Sequence, residues 1–102
     1  MITAIQRKVT DGLYELSGHA LTRSIQRAIS LDELTEAVGS GQIIAQYPDD
    51  RFGPSCLILG YTNSQRPLHI HCSYPSRPIL KIVTLYEPTL DLWEADLKTR
   101  RL

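Results

Sequence analysis

The apolar residues at the start of the chain recur every three or four positions, which is the spacing of one buried helix face. The series Ile2, Ile5, Val9 and Leu13 predicts a first helix that ends near 11–12. The segment "LYELS" that follows is typical of a brief extended piece.

A second helix is predicted from about Gly18 to Arg27, with Ser17 as its N-terminal cap. Leu21, Ile25 and Ala28 recur at helical spacing and form its predicted apolar stripe. The polar side then holds His19, Thr22, Arg23, Gln26 and Arg27.

A third helix is predicted by the capping-box pattern Ser30-Leu31-Asp32-Glu33. We expect Leu31, Leu34 and Val38 to be buried, and the glycines of "GSG" at 39–41 to end the helix.

The period then changes to that of strands at 42–47, 55–62, 67–74 and 79–86, separated by turns rich in Pro, Asp, Asn and Gly. Short connections favour antiparallel neighbours. Leu90, Trp93 and Leu97 predict a short C-terminal helix. The chain is therefore predicted as one α+β domain, residues 1–102, with N-terminal helices packed on a four-stranded antiparallel sheet.

Composition agrees with a soluble domain, since 42% of the 102 residues are hydrophobic and 22% are charged. No apolar run approaches the roughly 20 residues of a membrane span, and no secretion signal is evident. We expect a cytoplasmic protein in which Cys56 and Cys72 are free, buried thiols.

The net charge of zero disfavours nucleic-acid binding, which usually leaves a basic footprint. The charges are segregated, however. Residues 32–50 carry acids and no Lys or Arg, whereas 51–86 carry Arg51, Arg66, Arg77 and Lys81 and no acid. A local basic surface is compatible with this distribution.

The row His19, Arg23 and Arg27 has the spacing of one helix edge. Guanidinium groups bind phosphate through two parallel hydrogen bonds, and a first-turn histidine lies where free amides favour anions. The row is either a solvated helix surface or part of a site for an anionic substrate.

In "PLHIHCSY" the apolar Leu68, Ile70, Cys72 and Tyr74 alternate with His69, His71 and Ser73, so the histidines share the outer sheet face. They are half-exposed surface residues, phosphate contacts or acid–base groups. A metal site needs three or four ligands, and no third partner is evident. No cofactor is expected.

The last strand places Thr84 and Tyr86 on one face, together with Leu80 and Ile82. The chain has no phosphate-binding glycine loop, nucleophile elbow or dinucleotide fingerprint, and this excludes the large nucleotide-dependent enzyme classes.

Four segments together resemble the domain-of-unknown-function family 4258 from about Tyr14 to Pro88: "SGHALTRSIQRAIS", "DELTEAVGSGQIIAQYPDD", "CLILGYTNSQRPLHIHCSYP" and "LKIVTLYEP". That family is similar to RelE-like toxins of the barnase–EndoU–colicin–RelE group of metal-independent ribonucleases.

The resemblance implies RNA cleavage by attack of the ribose 2′-hydroxyl on the phosphate, with RNA and an antitoxin protein as partners. It implies catalysis by His19, Arg23 and Tyr86, with Arg27, Thr84 and His69 in contact with substrate. His71 lies outside the family pattern and is a candidate substrate contact from its place on the same strand face as His69. The likeness is weaker in charge: such toxins are strongly basic, and only Lys98, Arg100 and Arg101 correspond to their C-terminal basic residues. The alternative is a module of the same fold that binds protein or nucleic acid without turnover.

Overall fold

A computed structural model, which describes residues Met1 to Leu102, has three helices on one face of a five-stranded mixed sheet. This confirms the α+β class. The helices are α1 (Ile2–Thr10), α2 (Gly18–Gln26) and α3 (Leu31–Gly39). The strands are β1 (Tyr14–Leu16), β2 (Gln42–Tyr47), β3 (Ser55–Tyr61), β4 (Pro67–Ser73) and β5 (Leu80–Tyr86). None of the helices combines the length and apolarity that crossing a membrane requires.

Strands β2 to β5 form the expected antiparallel meander, but the sheet has a fifth strand. The order is β1-β5-β4-β3-β2, and β1 runs parallel to β5 with Tyr14 opposite Leu80 and Leu16 opposite Ile82. The prediction of a four-stranded, purely antiparallel sheet is therefore wrong. The period of "LYELS" indicates an extended piece, but its pairing joins residues 66 positions apart in the chain, and a local pattern does not encode such a pairing.

The core lies between the helices and the inner face of the sheet. Helices α1 and α3 contribute Ile5, Val9, Leu34 and Val38, and the strands contribute Ile58, Leu68, Ile70, Leu80, Ile82 and Leu85. Cys56 and Cys72 are buried opposite each other with their thiols free and their sulfurs 3.9 Å apart. The predicted role of both cysteines as buried apolar groups is confirmed.

Helix α2 packs through a different face from the one its apolar stripe predicted. Ala20 and Ser24 are buried, whereas Leu21 and Ile25 are 53% and 73% exposed. Ser17 caps the helix and also donates a hydrogen bond to the carbonyl of Val83. This anchor sets the rotation of α2 against β5, and small side chains at the contact allow the helix to approach the sheet closely.

Helix α3 begins with the predicted capping box between Ser30 and Glu33, and Leu34 and Val38 are buried as expected. Leu31 is 55% exposed instead, because it lies in the first turn, before the helix meets the sheet. Ala28, predicted for the apolar stripe of α2, lies beyond that helix in a left-handed conformation and is exposed.

A bulge in β5 determines which side chains reach the outer face of the sheet. Cys72 is opposite Ile82, but the next residue of β4, His71, is opposite Thr84, so Val83 is the additional residue. Thr84 and Tyr86 therefore lie on the opposite face from Leu80 and Ile82, contrary to the prediction.

No C-terminal helix forms, contrary to the prediction. Residues 92–101 make a short hairpin in which Trp93 pairs with Arg100. Asp96 accepts hydrogen bonds from the amides of Lys98 and Thr99, and Leu97 is left-handed with a φ of 60°. The Asp96 carboxylate thus stabilises a turn at the centre of the segment for which the helical spacing predicts a helix.

Candidate phosphate-binding cleft

An open cleft lies on the outer face of the sheet, where the C-terminal hairpin crosses strands β4 and β5. It has two adjoining parts, one of about 660 Å³ and one of about 220 Å³. Both parts are lined by Tyr86, Trp93 and Arg100; Arg27 and Arg66 line only the larger, and Tyr47, Leu57, His71 and Thr84 only the smaller.

His71 is held by a hydrogen-bonded chain that ends on a carboxylate. The Ser55 hydroxyl donates to Asp50 Oδ2 at 2.9 Å, and Ser55 Oγ lies 2.8 Å from His71 Nε2. A carboxylate only accepts, so the single Ser55 proton goes to Asp50. Ser55 must then accept from His71, which fixes the proton of the imidazole on Nε2. The other ring nitrogen, Nδ1, keeps its lone pair and makes no hydrogen bond within the protein.

The electrostatics keep His71 neutral at physiological pH. Burial lowers the pKa of His71, and the nearby Asp50 carboxylate opposes this only in part. The amide of Phe52 and the Ser55 hydroxyl, which both donate to Asp50, lower the pKa of that carboxyl. The result is an ionised acceptor at one end of the chain and an unprotonated imidazole nitrogen at the other, which suits a general base.

His69 is fully buried beneath the hairpin, which excludes the half-exposed surface position, one of the alternatives for this residue. Its Nε2 lies 2.7 Å from the Leu97 carbonyl oxygen, which can only accept, so Nε2 carries the proton. Nδ1 accepts from the Tyr86 hydroxyl at 3.1 Å, and the Trp93 ring packs edge-on at 4.5 Å between centroids. Burial lowers the pKa of His69. His69 is thus a positioning residue that fixes Tyr86 and the hairpin.

Tyr86 shares the cleft with two guanidinium groups, those of Arg27 and Arg100. Arg27 lies over its ring at 5.9 Å and donates to the carbonyl of Leu85 at 2.8 Å, and Arg100 lies over the ring of Trp93 at 5.5 Å. Burial and the neighbouring Tyr47 raise the pKa of Tyr86, while the charges of Arg100 and Arg27 oppose that rise. The cleft therefore combines a neutral phenol with two cations, and Arg100 makes no side-chain hydrogen bond within the protein.

Arg66 lines the larger part of the cleft, but most of its N–H groups are bonded to protein partners. Its guanidinium donates to Glu87 at 2.7 Å, to Glu33 at 3.1 Å, and to the carbonyls of Arg27 and Ala28 at 2.9 Å each. Arg66 thus connects the end of α2 to α3 and to the residue after β5. It fixes the backbone from which the Arg27 side chain extends.

The row predicted on α2 divides between the cleft and the surface. Arg27 reaches the cleft, at the end of the helix beside Leu85 and Tyr86. His19 lies in the first turn, roughly 12 Å away along the helix axis, and is exposed. Arg23 donates to Gln26 on its own helix. Neither His19 nor Arg23 lines the cleft.

The remaining predicted residues are distributed as follows. Thr84 lies opposite His71 and its hydroxyl makes no hydrogen bond within the protein, and Tyr86 lies opposite His69. His69 and His71 have no third candidate ligand, since no group of three His, Cys, Asp or Glu side chains converges anywhere in the chain.

Sequence reasoning missed Asp50, Ser55, Tyr47 and Trp93 as members of the site. Asp50 and Ser55 lie in and just after a turn, where such residues are common for purely structural reasons. Arg100 belongs to a basic C-terminal run, and the sequence pattern does not show where that run lies in the fold. The register of β3 and β4 brings Ser55 to His71, and the path of the C-terminal hairpin brings Trp93 and Arg100 to the same cleft.

Comparison with known families supports one assignment. The family model described as domain of unknown function (DUF4258) matches residues 16–87. No curated protein and no solved structure matches the chain. The matched range contains Arg27, Asp50, Ser55, His71, Thr84 and Tyr86, whereas the hairpin with Trp93 and Arg100 lies outside it. Because the match covers most of its length, this chain belongs to the DUF4258 family.

Proposed function

We propose that the cleft binds RNA and cleaves it without a metal ion, by attack of a ribose 2′-hydroxyl on the adjacent phosphorus. The 2′-oxygen forms the new bond, the 5′-oxygen of the next nucleotide leaves, and the first product carries a 2′,3′-cyclic phosphate. The RelE-like fold and an antitoxin partner belong to this proposal. The meander β2–β5, with helices packed on one face, supports the part of the proposal that concerns the fold.

His71 is the proposed base. Its Nδ1 is unprotonated and has no partner within the protein, and the chain to Asp50 holds the ring in one tautomer. Removal of the 2′-hydroxyl proton leaves a positive imidazolium, which the carboxylate of Asp50 stabilises through Ser55. This free, oriented Nδ1, in a cleft that Arg27 and Arg100 also line, is the single observation that carries the proposal.

Arg27 and Arg100 are the proposed phosphate ligands. Attack adds negative charge to the non-bridging oxygens, and fixed cations stabilise that charge more strongly than mobile water does. Arg27 is fixed by its bond to the Leu85 carbonyl, and Arg100 by its position over Trp93. Both therefore present guanidinium N–H groups without first ordering a flexible side chain.

Tyr86 is the proposed proton donor for the leaving 5′-oxygen. Its hydroxyl donates to His69 Nδ1 in the free protein, so the O–H bond must rotate toward the cleft when substrate binds. The raised pKa of Tyr86 keeps the phenol protonated at neutral pH. The proton transferred to the leaving oxygen returns from solvent or from His71 after product release.

The test is cleavage of a mixed fluorescent RNA in EDTA by the wild type and matched variants. His71→Gln keeps a hydrogen-bond donor for Ser55 but lacks the basic nitrogen, and we expect a loss of about a hundredfold to ten-thousandfold. Arg27→Ala is compared with Arg23→Ala, which removes a guanidinium from the same helix outside the cleft.

The roles predicted for His19 and Arg23 stay predictions and are tested in the same assay. If His19→Ala and Arg23→Ala abolish cleavage and His71→Gln does not, the site lies on α2 and the present proposal is wrong. If folded protein cleaves no RNA, the chain is a binding module.

A non-catalytic binding module is the second candidate function, and the exposed stripe of α2 favours it. Leu21 and Ile25 lie one turn apart on the same side of the helix and are mostly exposed. Contiguous exposed apolar surface marks places where a second protein docks, and this pair would be the centre of such a surface. This function predicts that the folded wild type cleaves no RNA and that Ile25→Ser weakens partner binding.

A further inference from the structure

We propose that the smaller part of the cleft is a nucleobase pocket for the nucleotide on the 5′ side of the cleaved bond. This inference rests on the proposed function, because it specifies how the RNA lies in the cleft. A volume of about 220 Å³ is below the roughly 300–1,000 Å³ of pockets that hold drug-sized molecules. It suits one flat ring system, and the adjoining 660 Å³ accommodates the phosphate and the next nucleoside.

The walls of the pocket are apolar and aromatic. Leu57 and Trp93 are buried to 5% and 7% exposure and form its apolar lining. The Tyr47 ring is 41% exposed and meets the His71 ring edge-on, with centroids 5.4 Å apart. The accessible face of Tyr47 is a platform on which a base can stack, and bases of every type stack on aromatic rings.

One free hydroxyl of the pocket can meet the edge of a base. Thr84 lines the pocket, and its hydroxyl makes no hydrogen bond within the protein. A hydroxyl can donate and accept, so Thr84 can pair with the carbonyl, amino or ring nitrogen groups of a base. An apolar pocket with a few free polar groups is the usual form of a small-molecule site.

The order of groups along the cleft sets the direction of the RNA. His71 lines the smaller part, Arg27 lines the larger, and Arg100 lines both. A base in the smaller part thus places its ribose beside His71 and its 3′-phosphate toward Arg27 and Arg100. The 2′-hydroxyl that attacks belongs to this same nucleotide, so the base lies on the 5′ side of the cleaved bond.

The test is to titrate ligands into the full chain and to monitor their binding by two-dimensional NMR. Uridine 3′-monophosphate and adenosine 3′-monophosphate are titrated, and ribose 5-phosphate serves as a probe with a phosphate and no base. We expect the nucleotides to bind roughly tenfold more tightly than ribose 5-phosphate, as the stacking of one base predicts. The amide signals of Tyr47, Leu57 and Thr84 should shift with the nucleotides only.

Three variants locate the effect. Tyr47→Ala should reduce nucleotide affinity to that of ribose 5-phosphate, and Thr84→Val should reduce it by a few fold. Tyr61→Ala removes a comparably exposed tyrosine, 37% against 41%, from outside the cleft and should change nothing. The inference is overturned if ribose 5-phosphate binds as tightly as the nucleotides, if none of them binds, or if Tyr47→Ala and Tyr61→Ala behave alike.

The cleavage assay separates this inference from the proposed function. Nucleotide binding that depends on Tyr47, without RNA cleavage, supports the nucleobase pocket and contradicts the nuclease. Cleavage that requires His71, with no preference for nucleotides over ribose 5-phosphate, supports the nuclease and overturns the pocket.

Discussion

Thr84 lies directly opposite His71 on adjacent antiparallel strands, although the alternation along β5 alone would assign Thr84 to the buried face. Because Val83 is an additional residue in β5, the side chains of Thr84 and Tyr86 lie on the outer face and not on the inner face. One free hydroxyl and one free imidazole nitrogen thereby line the same pocket, bordered by Tyr86 and Arg100. The bulge therefore places the Thr84 hydroxyl on the same side of the sheet as His71.

Ser55→Ala tests the hydrogen-bonded chain that orients His71. The variant leaves Asp50 and His71 in place but removes the hydroxyl that accepts a hydrogen bond from His71 Nε2. We expect RNA cleavage to fall by roughly tenfold and stability by about 1 kcal/mol, since a buried hydrogen bond is lost. Nitrogen-15 NMR of the imidazole should show one tautomer in the wild type and a mixture in the variant. An unchanged tautomer ratio would show that Ser55 does not orient the ring.

Asp50→Asn removes a charge and keeps a hydrogen-bond acceptor. The Asp50 carboxylate raises the pKa of His71 against the larger effect of burial, so its neutralisation should lower that pKa further. The acid limb of the cleavage profile should then move to lower pH. An NMR titration of the His71 ring measures this shift. Asp49→Asn is the control, because Asp49 is adjacent and exposed, and its substitution should leave the titration midpoint unchanged.

Arg27 and Arg100 should each account for about one phosphate contact. Replacing either with alanine should weaken RNA binding at all sequences and reduce the slope of log affinity against log salt by about one. Arg23→Ala and Arg77→Ala remove guanidiniums from outside the cleft. Fluorescence anisotropy at several salt concentrations measures the slopes, and equal reductions in all four variants would argue against a localised phosphate site.

His69 should make the fold sensitive to mild acid. Burial lowers the pKa of His69 in the folded protein below the ordinary 6.5, so the unfolded chain takes up the proton first as the pH falls. Stability is therefore full above pH 6.5 and declines below it, and the melting temperature should be a few degrees lower at pH 5.5 than at pH 7.5. His69→Gln should reduce this dependence, although His71 contributes in the same direction. His19→Gln, which replaces an exposed histidine, is the control.

Gly60 and Gly39 should respond in opposite ways to alanine. A Cβ at Gly60 would overlap the backbone carbonyl of Ala37, where α3 crosses β3, so Gly60→Ala should destabilise the protein by about 2 kcal/mol or more. A Cβ at Gly39 meets nothing within 4 Å, and alanine there should stabilise the helix by up to about 1 kcal/mol. Urea denaturation of the two variants measures both effects, and a tolerated Gly60→Ala would contradict the close approach of α3 to the sheet.

Local chemistry was sufficient to predict several elements. The capping box of Ser30 and Glu33 and the cap at Ser17 each depend on residues three positions apart, and both helices begin where expected. The alternation in β4 also placed Leu68 and Ile70 in the core and His69 and His71 on the other face.

The hairpin of residues 92–101 shows why helical spacing alone is insufficient. Leu90, Trp93 and Leu97 have the period of a helix, yet Trp93 is buried against His69, and Asp96 stabilises a turn. Packing Trp93 over the outer-face histidine His69 stabilises the protein more than a short isolated helix would, since helices of this length are marginal in water.

By itself, the sequence determined the α+β class, the order of the helices and main strands, and the outer face of His69 and His71. Each of these depends on residues close together in the chain. Only the tertiary structure decided that Arg27 and not His19 meets Tyr86, that Ser55 and Asp50 hold His71, and that Arg100 completes the cleft. Those relationships depend on the rotation of α2, the bulge at Val83 and the path of the hairpin. All three are determined by packing between segments that are distant in the chain.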